Sequence, residues 1–266
     1  MTMGMHLREG NSLALTQNEF FLYENSMLIN PGDISFDDNP TSPQSIALVL
    51  DISASMELRD AIDEMQAAAV SFIGMLVAPP DEAEIIRFAK SVEPVPVPVF
   101  TTDTDALKAA INADPNINPV DFRDGTAMYE AVSQAIDDTT LRDPTRRRAV
   151  VVIADGRDNS SLIELDELIE QALDDGVPVF TIGLGDVNAE NMQQLADETG
   201  GQYYYAPDEG DLDAIYDQIS KIISSQYILE YDASSPCGDI ISLDVVVDDG
   251  SILHLKGEDS RDIILN

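Results

Sequence analysis

The chain has 266 residues, of which 44% are hydrophobic, so it can bury a sizeable core in one large domain or in a domain with a small module. Its 50 acidic residues outnumber its 14 basic residues and give a formal net charge of −36. Because phosphate binding needs clustered arginine and lysine, this balance excludes nucleic acid as the expected partner and suits saline or cation-rich surroundings.

Cysteine content and hydropathy set further limits. The single cysteine, Cys237, cannot form an intrachain disulfide, and we interpret it as a buried or idle thiol. No apolar run approaches the length of a membrane-spanning helix, so no membrane insertion is expected. Residues 1–10 lack the charged and apolar regions of a signal peptide. The chain is therefore expected to be cytoplasmic or to derive from a longer exported protein.

The first 44 residues predict strands and turns. Strands are expected over residues 19–25, 27–29 and 34–36, with turns between them that are rich in Asn, Gly and Asp. Residues 37–43 contain Asp, Asn and two prolines and are interpreted as a linker.

The next segment places polar side chains at the end of an apolar strand. Residues 46–50 form an unbroken apolar run, which is typical of a strand buried on both faces. Asp51 ends this run, and Ser53 and Ser55 follow at alternate positions before a helical pattern begins. In open α/β sheets, ligands bind at such a strand end. One carboxylate with two hydroxyls is a poor nucleophilic set but suits a hard cation such as Mg²⁺.

Strand and helix patterns alternate from about residue 45 to about residue 225. Residues 92–100 contain three prolines and predict an extended edge strand, because proline donates no ladder hydrogen bond. Ser160 or Ser161 is expected to cap a helix over residues 162–173. Other helices are expected over residues 56–77, 189–199 and 209–225, and strands over 84–90, 149–154, 177–183 and 202–206. Two more helices are expected, a short one capped near Thr102 or Asp103 and one that Thr126 opens. This alternation predicts a parallel sheet with helices on both faces.

From residue 226 onward the pattern contains strands without helices between them. Strands are expected over residues 227–231, 241–247 and 251–255, with a hairpin turn at Asp249-Gly250. Such strands cannot extend a βαβ series. We therefore predict that the flanks 1–44 and 226–266 form one small antiparallel β module beside an α/β domain of residues 45–225.

Three motifs in the α/β segment resemble those of the von Willebrand factor type A (vWA) domain. Asp51-Ile52-Ser53-Ala54-Ser55 resembles the D-x-S-x-S signature of that family, although Ala54 stands where glycine is common. Asp124-Gly125-Thr126 resembles the family's threonine loop, and the strand that ends at Asp155 resembles the one that carries its last aspartate. The resemblance implies a doubly wound, mostly parallel, Rossmann-like sheet. Ala54 is expected to have little effect, since alanine has the smallest side chain with a Cβ.

The resemblance also implies a metal-ion-dependent adhesion site (MIDAS) formed by Asp51, Ser53, Ser55, Thr126 and Asp155. Three neutral hydroxyls and two carboxylates would leave a divalent cation electrophilic. By resemblance, one coordination position stays free for a carboxylate of a protein partner. We expect a metal-dependent protein-binding module for adhesion or scaffolding. Mg²⁺ is the expected ion, Mn²⁺ and Ca²⁺ remain open, and the oligomeric state is unassigned.

Each of these five residues alone is a common cap or turn former, so their ordered combination carries the prediction. Two further acidic residues, Asp124 and Asp158, have two interpretations. They either orient water around the cation or are solvated loop residues.

Two other functions are weighed against the binding module. A metal-dependent hydrolase using Ser53 or Ser55 needs an adjacent base, but the two histidines, His6 and His254, lie outside the α/β pattern. The sequence also contains no phosphate-binding P-loop and no G-x-S-x-G motif, so no enzymatic activity is expected. An intracellular vWA subunit that serves an ATPase assembly would use the same metal site. The β flanks and the acidic surface favour an extracellular, cell-surface or periplasmic protein instead.

Overall fold

A computed structural model describes the chain in fourteen segments. They are residues 2–5, 20–37, 42–57, 61–76, 81–93, 100–113, 125–143, 145–155, 158–184, 189–206, 211–224, 227–231, 240–247 and 259–264. The chain divides into two compact units, one of residues 41–224 and one of residues 1–40 together with 225–266. The boundaries predicted from the sequence differ from these by four residues on the N-terminal side and by one on the C-terminal side.

The secondary structure follows the expected alternation through the larger unit. The described strands are β1 (Thr2–Met5), β2 (Phe20–Glu24), β3 (Met27–Leu28), β4 (Ile34–Asp37), β5 (Gln44–Asp51), β6 (Glu82–Phe88), β7 (Arg147–Ala154), β8 (Val179–Leu184), β9 (Tyr203–Ala206), β10 (Tyr227–Tyr231), β11 (Ile240–Val247) and β12 (Asp259–Ile264). The described α-helices are α1 (Ala54–Glu57), α2 (Ala61–Met75), α3 (Thr104–Ile111), α4 (Met128–Thr140), α5 (Leu165–Asp174), α6 (Ala189–Glu198) and α7 (Leu212–Ser224).

The larger unit is built on a five-stranded parallel sheet in the order β6-β5-β7-β8-β9. The sheet register pairs Leu50 of β5 with Ile153 of β7, and Asp51 with Phe88 of β6. The carboxyl ends of these three strands therefore meet at one edge of the sheet.

Two hydrophobic layers cover the two faces of this sheet. Ile46, Leu48 and Leu50 of β5 face a core that includes α2, α3 and α7. Ala47 and Val49 face the opposite core, which includes α4, α5 and α6. Burial on both sides explains why the β5 sequence is an unbroken apolar run without alternation. The predicted doubly wound α/β fold is confirmed.

The outer edge of the sheet is β6. Isolated antiparallel bridges join it to residues on either side of the prolines, at Ala83–Thr101 and at Phe88–Val92. The predicted edge strand over residues 92–100 is thus described only at its ends. Residues 94–99, which include the three prolines, lie outside the described residues. Arg87 of β6 is buried, and its guanidinium contacts Glu93 at 2.7 Å and donates to the carbonyl oxygen of Ala113 at 2.5 Å. This charged side chain ties the loop after β6 to the end of α3.

The smaller unit contains two antiparallel sheets in its described residues. One has the order β1-β10-β4, and the other has the order β12-β11-β2-β3. Each sheet pairs strands from the N-terminal flank with strands from the C-terminal flank. The predicted turn at Asp249-Gly250 and the predicted strand over residues 251–255 lie outside the described residues. Strand β12 (Asp259–Ile264) was not predicted from the sequence.

The predicted serine cap on the helix after β7 is wrong. That helix, α5, begins at Leu165, and its N-cap residue is Glu164, whose backbone N–H donates to the side chain of Glu167. Glu164 and Glu167 thus form a capping box. Ser161 contacts a different helix, described below.

Candidate metal centre

The first part of the candidate site is the turn after β5. Asp51 is fully buried, and its Oδ1 accepts the backbone N–H of Ser53 at 2.8 Å. The hydroxyl oxygens of Ser53 and Ser55 lie 3.0 Å apart. The N–H of Ile52 donates to the carbonyl oxygen of Phe88 at 2.8 Å, which holds the turn against the end of β6. One carboxylate and two hydroxyls are thus gathered in a single short turn.

The second part is Asp155, which follows β7, the strand next to β5. It is 1% exposed, and neither of its carboxylate oxygens has a hydrogen-bond partner among the described residues. The same holds for Oδ2 of Asp51. Burying carboxylate oxygens without a partner is costly, because the lost hydration is not replaced.

The electrostatics of the site reflect this shortage of positive charge. Burial, with a smaller contribution from the negative charge of Asp155, raises the pKa of Asp51 to about 7, although hydrogen bonds from Ser53 and from the backbone of Asp155 oppose the shift. An approaching cation would reverse this effect, because it favours the charged form of the Asp51 carboxyl.

The third part is Thr126, which the loop after Asp155 holds in place. The N–H of Thr126 donates to Oδ1 of Asn159 at 2.9 Å. The carbonyl oxygen of Thr126 accepts the N–H groups of Asn159 and Ser160 at 2.9 and 3.1 Å. Thr126 is itself 4% exposed. The loops that carry Thr126 and Asp155 are therefore bonded to each other through the backbone of Thr126.

The same loop caps the helix that Thr126 precedes. The N-cap residue of α4 is Ala127, which has no side-chain oxygen to accept a hydrogen bond. Instead, the N–H of Tyr129 donates to Oδ2 of Asp158 at 2.9 Å, and the N–H of Glu130 donates to Oγ of Ser161 at 3.1 Å. Asp158 is thus a helix cap, a role that neither sequence interpretation gave it. Asp124 lies outside the described residues.

A close approach of three loops fixes the position before Thr126. Gly125 has φ of +146°, a conformation that side chains disfavour. A Cβ built there would overlap Oγ of Ser160 and lie 3.1 Å from Cγ of Lys90. The loop after β6 is also bonded to this turn, because the N–H of Ala127 donates to the carbonyl oxygen of Ala89 at 2.6 Å. Lys90, in the loop after β6, therefore borders the threonine loop.

The donor set fits a hard divalent cation. Two carboxylates and two hydroxyls lie at or just after the carboxyl ends of β5 and β7, at one edge of the sheet. The residue that carries the third hydroxyl, Thr126, is hydrogen-bonded to the loop after β7. Oxygen ligands of this kind suit Mg²⁺, Mn²⁺ or Ca²⁺. Within the described segments, no group of three or more His, Cys, Asp or Glu side chains could hold a metal ion.

The described contacts of the serine hydroxyls include no general base. The hydroxyl groups of Ser53 and Ser55 hydrogen-bond to each other. The two histidines, His6 and His254, lie outside the described residues.

A doubly wound α/β domain with a hydroxyl- and carboxylate-lined edge defines the class of protein. The family model described as von Willebrand factor type A domain matches residues 45–218. The chain belongs to this family, as the three sequence motifs predicted.

Two relatives share the domain at moderate identity. Calcium-activated chloride channel regulator 3A-1 of Mus musculus is 27% identical over 183 residues, which are 68% of this chain and 19% of that protein. Matrilin-1 of Gallus gallus is 26% identical over 166 residues, which are 59% of this chain and 32% of that protein. The matched part is thus about a fifth to a third of the length of these relatives.

Two solved structures share the fold. A von Willebrand factor type A protein from Catenulispora acidiphila has a TM-score of 0.60 at 14% identity. The match covers 87% of this chain and 74% of that protein chain. Proximal thread matrix protein 1 from the mussel byssus, whose structure has a zinc-occupied MIDAS motif, has a TM-score of 0.60 at 15% identity. The match covers 77% of this chain and 51% of that protein chain.

Proposed function

We propose that this chain is a metal-dependent protein-binding module of an adhesion or scaffold type. Asp51, Ser53, Ser55, Thr126 and Asp155 would hold one divalent cation. The observation that carries the proposal is the set of three buried carboxylate oxygens, on Asp51 and Asp155, without a partner in the described residues. When bound, the ion supplies a positive charge to which a carboxylate of a protein partner can bind.

The charge balance of the site supports a carboxylate ligand. Three of the five proposed ligands are neutral hydroxyls, so only the two aspartates compensate the charge of the ion. A cation held this way keeps enough positive charge to attract an anionic group. Mg²⁺ is our first choice because it favours oxygen ligands, and the zinc in the mussel protein's MIDAS motif supports a divalent ion in general.

The net charge of −36 sets the salt dependence of the proposed interaction. An acidic partner is repelled at long range, and salt screens this repulsion over a Debye length of about 8 Å at physiological ionic strength. The contact at the cation is short-range and survives screening. Binding should therefore strengthen as salt rises from a low concentration, which is the reverse of attraction between oppositely charged surfaces.

We also propose that the chain functions outside the cytoplasm, at a cell surface, in the extracellular space or in a periplasm. The strongly acidic composition and the β flanks support this location. A separate finding is that the described segments contain no helix with the length and apolar character needed to cross a membrane.

Titration calorimetry tests the metal site directly. Chelator-treated protein should bind Mg²⁺ or Mn²⁺ at one strong site, and the Asp51→Ala, Asp155→Ala double variant should lose this heat. Glu170→Gln is the matched control, because it removes one exposed carboxylate from α5. Equal heat from the double variant and the wild type would refute the site.

Partner capture with and without chelator tests the binding role. Protein immobilised in Mg²⁺ should retain a partner from the extracellular fraction of the source organism. Chelator should release this partner, and the immobilised Thr126→Ala variant should retain less of it. A partner that binds equally well in chelator would show that the contact surface lies elsewhere.

A further inference from the structure

Lys90 occupies a special place beside the proposed cation site. It lies in the loop after β6, and this loop is bonded to the threonine loop through Ala89 and Ala127. The Cβ and Cγ of Lys90 lie against Gly125, the residue directly before Thr126. The first part of the Lys90 side chain thus borders Gly125, while the residue as a whole is exposed. Its ammonium group is therefore available at the rim of the site.

This ammonium group has no ion-pair partner among the described residues. Two other basic side chains of the same unit do form ion pairs, Arg142 with Glu82 and Lys221 with Asp217. In the described loops at the carboxyl ends of β5 to β9, Lys90 is the one basic residue.

The reach of the Lys90 side chain is of the same order as the spacing of two acidic side chains in a peptide. Neighbouring Cα atoms, such as those of Gly125 and Thr126, are 3.8 Å apart, and a lysine extends roughly 4 Å beyond its Cγ. From its position beside Gly125, the ammonium group can thus extend toward the surroundings of Thr126. Alternate residues of an extended peptide point to the same side and are roughly 6.5 Å apart, before the length of their side chains is added.

We infer that Lys90 binds a second carboxylate of the partner, two residues from the one that binds the cation. The site thereby selects segments with the pattern Asp-x-Asp over segments with one acidic residue. This inference rests on the proposed function, because it assigns the first carboxylate to the cation. It also explains how an acidic partner can be favoured by a protein of the same charge.

Two labelled synthetic peptides test this selectivity by fluorescence polarisation in Mg²⁺. One is Ser-Gly-Asp-Gly-Asp-Gly-Ser, and the other replaces its second Asp with Asn. The wild type should bind the first peptide roughly two- to five-fold more tightly, as expected for one exposed ion pair. This preference should shrink as the salt concentration approaches 1 M, where the Debye length is about 3 Å.

Lys90→Met should abolish the preference, because it removes the charge and keeps an unbranched side chain against Gly125. Lys90→Arg should retain most of it. Lys221→Met is the matched control, since it removes one exposed charge from α7 and should leave the preference intact. A thermal melt of each variant checks that it is folded.

The outcomes separate this inference from the proposed function. If the wild type binds both peptides equally, or if Lys90→Met keeps the preference, the role of Lys90 is overturned and the cation site stands. If neither peptide shows Mg²⁺-dependent binding although calorimetry detects the metal, the carboxylate-binding function is overturned, and the role of Lys90 with it.

Discussion

Replacing Asn159 with alanine should weaken metal binding although Asn159 is not a proposed ligand. The substitution removes the oxygen that accepts the N–H of Thr126 at 2.9 Å. Since Thr126 is 4% exposed, little water can replace this bond. Leaving such a donor unpaired costs about 1–3 kcal/mol of stability. We expect the Thr126 turn to loosen, which displaces its hydroxyl from the site.

The expected loss of metal affinity follows from comparable cases. Removing a group that orients a metal ligand typically costs about 10- to 100-fold in affinity, or about 1.4–2.8 kcal/mol. Calorimetry with Mn²⁺ on chelator-treated protein measures this loss. Asn191→Ala is the matched control, because it removes a different asparagine contact, the 2.7 Å hydrogen bond to the hydroxyl of Tyr129.

A double-mutant cycle shows whether Asn159 acts through Thr126. In a Thr126→Ala background the hydroxyl is already gone, so Asn159→Ala should reduce metal affinity little further. Two results would refute the reasoning. One is unchanged affinity in Asn159→Ala, and the other is a loss of the same size in both backgrounds.

Three more predictions concern stability. Burial and a neighbouring carboxylate raise the pKa of Glu84 from 4.5 to about 8. The folded state therefore holds the Glu84 proton more tightly than the unfolded chain does, so the free energy of unfolding falls as pH rises from 4.5 to 8. Glu84→Gln should therefore stabilise the protein by about 1–2 kcal/mol at pH 8, after allowance for solvent screening, and hardly at pH 4.5, as measured by urea unfolding. Gly125→Ala should cost about 1–3 kcal/mol because of its positive φ and the overlap with its neighbours. By contrast, Gly74→Ala, at an open position near the C-terminal end of α2, should be neutral or stabilising. Deleting residues 1–40 should speed amide exchange in residues 227–231, since β10 loses both of its partner strands; unchanged exchange would show that the two flanks are independent.

The sequence predicts the parallel sheet and the ends of its strands well. Residues 46–50 are apolar without interruption because both faces of β5 are covered, and this pattern is visible without a structure. Asp51 and Asp155 could be placed at one edge for the same reason, because each directly follows such a run.

The supports of the site could not be read from the sequence. Asn159 and Ser161 bond to residues about thirty positions earlier, and no local pattern specifies such a partner. Ser161 matched a local cap for α5, but it contacts α4 because that helix begins with an alanine cap. The pairing of β11 with β12 was missed because an acidic segment with one arginine lacks the strand signal that its partner has.

The capping of α4 has a consequence for how the site responds to metal. A helix N-terminus close to a binding site ordinarily offers free N–H groups to an anion. Here those of Ala127, Tyr129 and Glu130 are already bonded to Ala89, Asp158 and Ser161. The backbone thus has few donors left for an incoming carboxylate, and two buried aspartates repel it. Without a cation, this edge of the sheet repels the carboxylate of the ligand. Removal of the metal should therefore abolish ligand binding and not merely weaken it.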